Sequence, residues 1–178
     1  MPQMVALFNG VGGGAAALLR ELEAGIERAG RDRLVVNLGL PVKLKVHDSV
    51  FVPLAKWAML MAGNYRCITK DGMRPIKEAV HGDLPAARAV YDWVVRLCKS
   101  LGADEKDLVP FEKYAAAAQG LASPSSAARA LYGGAPNIER VDLLVKTVAA
   151  QKGMQSDAID EIVALVDAQL ALNRRAKK

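Results

Sequence analysis

Pro53-Leu-Ala-Lys56-Trp-Ala-Met-Leu-Met-Ala-Gly63-Asn64 holds one charge, Lys56, in an otherwise apolar run. A helix that is apolar on all sides is a buried one, so this stretch predicts a core helix and sets the class of the chain beyond it. From about residue 50 onward the pattern is helical throughout. Residues 74–80 predict a short helix. Asp83-Leu-Pro85 supplies an N-cap and a first-turn proline for a helix that runs to about Ser100 and stops at Gly102. Further helices are expected at residues 110–119, ended by Gly120, and from Ser123-Pro124 to Gly133-Gly134. Another spans 137–152 and ends at Gly153. The last runs from Ser156 to about Asn173, with Ile159, Ile162, Val163, Val166 and Leu170 along one stripe.

Before residue 50 the pattern differs. Met4-Val-Ala-Leu-Phe8 is a short apolar run and Asn9-Gly-Val-Gly-Gly-Gly14 a turn. Residues 15–29 form helix readily and close at Gly30, and Arg33-Leu-Val-Val-Asn37 is a second apolar run. A strand–helix–strand unit of this size is the building block of parallel α/β sheets. The boundary falls between residues 40 and 52, so the expected organisation is 1–45 for this βαβ-like segment and 46–178 for a mainly α helical bundle. Gly10-Val-Gly12-Gly-Gly-Ala15 fits the GxGxxA dinucleotide fingerprint in its strand-to-helix setting. There Gly10 and Gly12 would let backbone N–H groups approach a pyrophosphate at the helix start. The alternative is a plain glycine-rich turn capping a helix. No acid closes the second run, which ends Asn37-Leu-Gly39, and about a dozen residues separate it from the helical region. That is too little chain for a whole dinucleotide domain.

Composition narrows the function classes. Of 178 residues, 52% are hydrophobic, 24% charged and 5% aromatic, which suits a packed helical protein. The net charge of +5 is concentrated at the end of the chain, in Arg174, Arg175, Lys177 and Lys178. Cations suit a helix C-terminus, and no aromatic residues interleave with basic ones, so no nucleic-acid partner is expected. Cys67 and Cys98 lack a CxxC partner, which predicts free thiols in a reducing compartment. With only His47 and His81, no histidine metal site is expected. Residues 1–19 are apolar but lack the basic start of a signal peptide, and ~20 apolar residues are needed for a membrane span. A cytoplasmic protein with no membrane partner is the expectation.

Two places carry candidate chemistry. Lys56 opens an apolar helix, where desolvation and the helix dipole both ease its deprotonation, as a general acid for carbonyl reduction requires. Asn64, eight residues on, is expected on the same face. The alternative for Lys56 is a side chain snorkelling to the surface. The second place is Ser123-Pro-Ser-Ser126-Ala-Ala-Arg-Ala-Leu-Tyr-Gly-Gly-Ala-Pro-Asn-Ile-Glu139-Arg-Val-Asp142. Serines at a helix start bind an anion together with free N–H groups, and a carboxylate facing a lysine across a cleft tunes its pKa. The alternative reads these serines as helix caps and Glu139 as an acid near the start of a helix.

Together, and in this order, the two stretches resemble the C-terminal domain of ketopantoate reductases over about residues 50–170. That family has Lys, then Asn four on, then Asn eight on. Lys56 and Asn64 match, and Leu60 stands at the middle position. Its second signature is a serine pair opening a helix, a loop, then Glu-Ile-Asp. Ser125, Ser126 and Glu139 match with a one-residue insertion, Asp142 is shifted by one, and Leu143-Leu144 replaces the usual Asn-Gly. The resemblance implies a helical bundle like the C-terminal domains of ketopantoate reductase and 6-phosphogluconate dehydrogenase. It implies Lys56 as proton donor, Glu139 as its partner, and Asn64, Ser125 and Ser126 as contacts to a small 2-oxo or hydroxy acid. It further implies NADP as cofactor, held by a nucleotide domain without a full counterpart here, a homodimer, and a setting in pantothenate biosynthesis. Residues 1–18 separately resemble a stretch of the β subunit of membrane nicotinamide-nucleotide transhydrogenases, with no function carried over. The alternative function is a non-catalytic helical module for dimerisation or small-molecule binding on the same scaffold. A minimal dinucleotide binder using Gly10 and Gly12 is a third.

Overall fold

A computed structural model describes residues 3–8, 13–31, 42–47, 49 and 51–176. The chain divides into two compact units, Met1–Pro53 and Leu54–Lys178. In the first, β1 (Gln3–Phe8), α1 (Gly13–Arg31) and β2 (Val42–His47) follow one another. The two strands pair in parallel, from Gln3 opposite Val42 to Phe8 opposite His47. The described second strand is therefore Val42-Lys-Leu-Lys-Val-His47, whose apolar–polar alternation is the period of a half-buried strand. Leu44 on it is buried. The run 33–37 expected as a strand lies outside the described residues. Helix α1 does not close at Gly30 but continues to Arg31. Its Glu23 carboxylate accepts the Val46 N–H at 3.2 Å and fastens helix to strand.

The short helix α2 (Phe51–Leu54) leads into the second unit, which is mainly helical. The expected core helix there is a composite. It begins as α3 (Lys56–Met59), widens into a π-helix at Leu60–Asn64 and tightens into a 3₁₀ turn at Tyr65–Cys67. Ala58, Met61, Ala62, Gly63, Tyr65 and Cys67 are buried along it. Gly63 has a steric reason to lack a side chain. A Cβ there would lie 1.8 Å from the Tyr114 hydroxyl, which occupies that space and donates to the Met59 carbonyl at 3.1 Å.

A two-residue hairpin follows, β3 (Ile68–Thr69) with β4 (Gly72–Met73), antiparallel. Helical periodicity does not reveal it, but Asp71-Gly72 is a turn signal, and Gly72 takes φ 143°, open to glycine alone. The Tyr132 hydroxyl donates to the Thr69 carbonyl and holds the hairpin against the helices. The remaining helices are α4 (Ile76–His81), α5 (Leu84–Ser100), α6 (Phe111–Ala118), α7 (Ser126–Tyr132), α8 (Val141–Gln151) and α9 (Asp157–Ala176). Asp83 caps α5 by accepting the Ala86 N–H at 2.9 Å, as its sequence predicts. The α9 stripe Ile159, Ile162, Val163, Val166 and Leu170 is buried in full, in a core that includes Val94, Leu97 and Val145. Tyr91 meets Phe111 edge-on at 5.3 Å and stacks on Tyr114 at 5.5 Å between ring centroids. Both cysteines are free and buried. Among the described residues no helix is long and apolar enough to cross a membrane.

Candidate functional site

Tyr65 organises the region where the sequence places its candidate residues. The 3₁₀ turn buries its ring, at 3% exposure. A buried tyrosine hydroxyl needs a partner, and this one has two. It donates to the Glu139 carbonyl at 2.6 Å and accepts the Val141 N–H at 3.0 Å. Burial pushes this phenol up to about 12, with the Val141 N–H pulling the other way. The paired bonds also explain why α8 starts at Val141 and not near residue 137: the segment before it is held non-helical against Tyr65.

One residue earlier, the Asn64 carbonyl accepts the Ser125 hydroxyl at 2.7 Å. The Ser125 oxygen in turn accepts the Ala128 N–H at 3.1 Å, so Ser125 caps α7 while tying it to the π-helix. With 2% exposure, both functions of its hydroxyl are taken up by backbone. Segments 61 and 74 positions apart are thus brought to Asn64-Tyr65. The other candidates stand differently. Ser126, the first residue of α7, and Glu139 are exposed, and the Asn64 side chain is half-buried. Lys56, at the start of α3, is exposed too, and no ion pair joins it to Glu139.

The buried charge of this region belongs to Asp142, which is fully buried. Arg140 grips it as a fork, Nε to Oδ1 at 2.9 Å and Nη2 to Oδ2 at 2.9 Å. The remaining Nη1 reaches Asp167 of α9 at 2.6 Å. Hydrogen bonding to Asp142 holds the Arg140 guanidinium above its ordinary pKa. Arginine in such a bidentate pair resists deprotonation and fixes two elements at once, a positioning role for α8 and α9. Sequence pattern does not single out Tyr65 or Arg140. Their signals are faint: a tyrosine inside a buried run, and an arginine two residues before an acid at a helix start.

Gly10 and Gly12 lie outside the described residues. Around them, β1, α1 and β2 form one strand–helix–strand step. A dinucleotide fold binds its cofactor across two βαβαβ halves. The described residues supply the first step of one such half. Also among the described residues, no three metal-capable side chains are grouped. Comparison of the chain with family models, curated proteins and solved structures gives no match.

Proposed function

We propose that the helical unit binds a small 2-oxo or hydroxy acid, as the substrate half of a ketopantoate-reductase-like oxidoreductase whose NADP is held by another domain. The observation that carries this reading is the convergence at Asn64-Tyr65 of the Ser125-Ser126 and Glu139 segments. In this reading Lys56 delivers the proton to the ketone, Glu139 supports it, and Asn64 and Ser126 hold the acid. Pantothenate biosynthesis, the homodimer and a cytoplasmic setting belong to the same proposal. A second reading, binding without turnover on the same scaffold, is favoured by the exposure of Lys56 and Glu139 and the lack of an ion pair between them.

Trp57, beside Lys56, gives the test a signal. Ketopantoate and pantoate are titrated with and without NADPH while tryptophan fluorescence is followed, with Lys56→Ala alongside. Saturable binding that the variant loses supports the substrate half. Binding that survives the variant favours binding without turnover, and no binding by a folded sample overturns the substrate-site reading and leaves a helical association module.

A further inference from the structure

A cavity of about 740 Å³ opens between the β3–β4 hairpin, α5 and α9. None of Lys56, Asn64, Ser126 or Glu139 lines it, so it stands apart from the site above. Its walls carry four cations, Arg66, Lys70, Arg74 and Arg96, against two carboxylates, Asp71 and Glu161. Val90 and Ile162, both buried, give it an apolar floor, and Trp93 forms part of one wall. The indole N–H of Trp93 donates to the Gln155 carbonyl at 3.1 Å, which fixes the ring.

The arginines are arranged against their own electrostatics. Arg74 donates through Nε to the Arg66 carbonyl at 3.0 Å, which holds the two residues side by side. Burial, and then the charge of Arg74, lower the pKa of Arg66. Asp83 offsets this in part, but its carboxylate is engaged by the Ala86 N–H. Nη1 of Arg66 is buried and has no hydrogen-bond partner, alone in this among the buried side-chain nitrogens and oxygens of the described residues. Buried polar groups are nearly always bonded, and an orphan donor asks for an acceptor. Arg74 lines the same cavity and its charge acts on Arg66, so an oxyanion is the acceptor that suits the pair, and arginine forks recognise oxyanions through paired N–H bonds.

We infer that this cavity is a binding site for a small phosphomonoester with a planar or apolar body, its phosphate on Arg66 and Arg74 and its body against Trp93. A dianion suits an excess of two positive charges better than a monocarboxylate does. Lys70 and Arg96, at the rim, draw the ligand in, while Asp71 and Glu161 select against carriers of additional negative charge.

The probes are phenyl phosphate, inorganic phosphate and phenol, titrated into the full chain carrying Trp57→Phe, so that Trp93 alone reports. Phenyl phosphate is expected to change Trp93 fluorescence saturably and to raise the melting temperature, since a ligand that binds only the folded state stabilises it. Inorganic phosphate should bind more weakly and compete. Arg74→Gln should weaken phenyl phosphate roughly tenfold or more, as loss of a charge-assisted hydrogen bond does. Arg66→Gln should do the same, and Arg96→Gln, at the rim, serves if either inner variant fails to fold. Phenyl phosphate binding that all folded arginine variants retain, phenol binding as tightly as its phosphate, or no saturable binding of either anion would each overturn the inference.

Discussion

At the residue scale, Gly63 and Tyr114 are one device. The hydroxyl of Tyr114 fills the place of a Gly63 side chain and bonds the Met59 carbonyl inside the widened helix. Gly63→Ala drives a methyl into that oxygen and should destabilise by about 3 kcal/mol, the upper range for overpacking a core. Tyr114→Phe should cost about 1 kcal/mol, the net value of one hydrogen bond. With the oxygen gone, the nearest ring carbon stands 3.2 Å from the new methyl, a contact that small shifts relieve. The double variant should therefore lose clearly less than the sum of the two, read from urea unfolding of all four proteins. Strict additivity would mean that the hydroxyl is not what keeps position 63 free of a side chain. A glycine in the sequence shows where a side chain is absent. Only the distant tyrosine shows why.

At the scale of elements, local and long-range caps can be told apart. Asp83 caps α5 through a residue three positions away, and the sequence displays the whole arrangement. Ser125 caps α7 equally well, but its hydroxyl proton goes to Asn64, 61 positions earlier. Asp83→Ala should cost about 1 kcal/mol, the usual worth of an N-cap. Ser125→Ala should cost about 2–3 kcal/mol, because it also leaves a carbonyl without its donor in a largely dry place. Equal losses in chemical denaturation would show that the bond to Asn64 contributes nothing. The same division explains which elements are legible in the sequence. The bounds of α5 and the buried face of α9 follow from neighbours on one helix. The start of α8 does not, because Tyr65 sets it from another element. The strand β2 is legible in its alternation, yet the more apolar run at 33–37 competes with it for the same role.

On the whole-molecule scale, the second unit buries hydroxyls and thiols that fold as neutral groups. Burial pushes Tyr65 and Tyr91 up to about 12 from 10.0, and Cys98 up to about 11 from 9.0, with Tyr114 raised in the same direction. The unfolded chain releases these protons at lower pH than the folded one, so the folded state holds more protons across this interval and stability falls as pH rises. The expected profile of melting temperature is unaffected by these groups below about pH 9 and declines steadily from there toward pH 12. Phenolate absorbance should appear together with unfolding. Phenolate that titrates near its free value with no loss of melting temperature would show that the fold tolerates these groups ionised. Taken by itself, the sequence determined the helical class of this protein, the Asp83 cap of α5, the glycine stops after α5, α6, α7 and α8, and the stripe that α9 buries. Each of these depends on residues within a few turns of one another. Only tertiary structure decided that the core helix widens at Leu60–Asn64, that Tyr65 sets the start of α8, and that Nη1 of Arg66 is buried without a partner while Arg74 bonds the Arg66 carbonyl. Steric fit, hydrogen-bond partners and the balance of buried charge at those points come from other elements of the fold, and no local pattern encodes them.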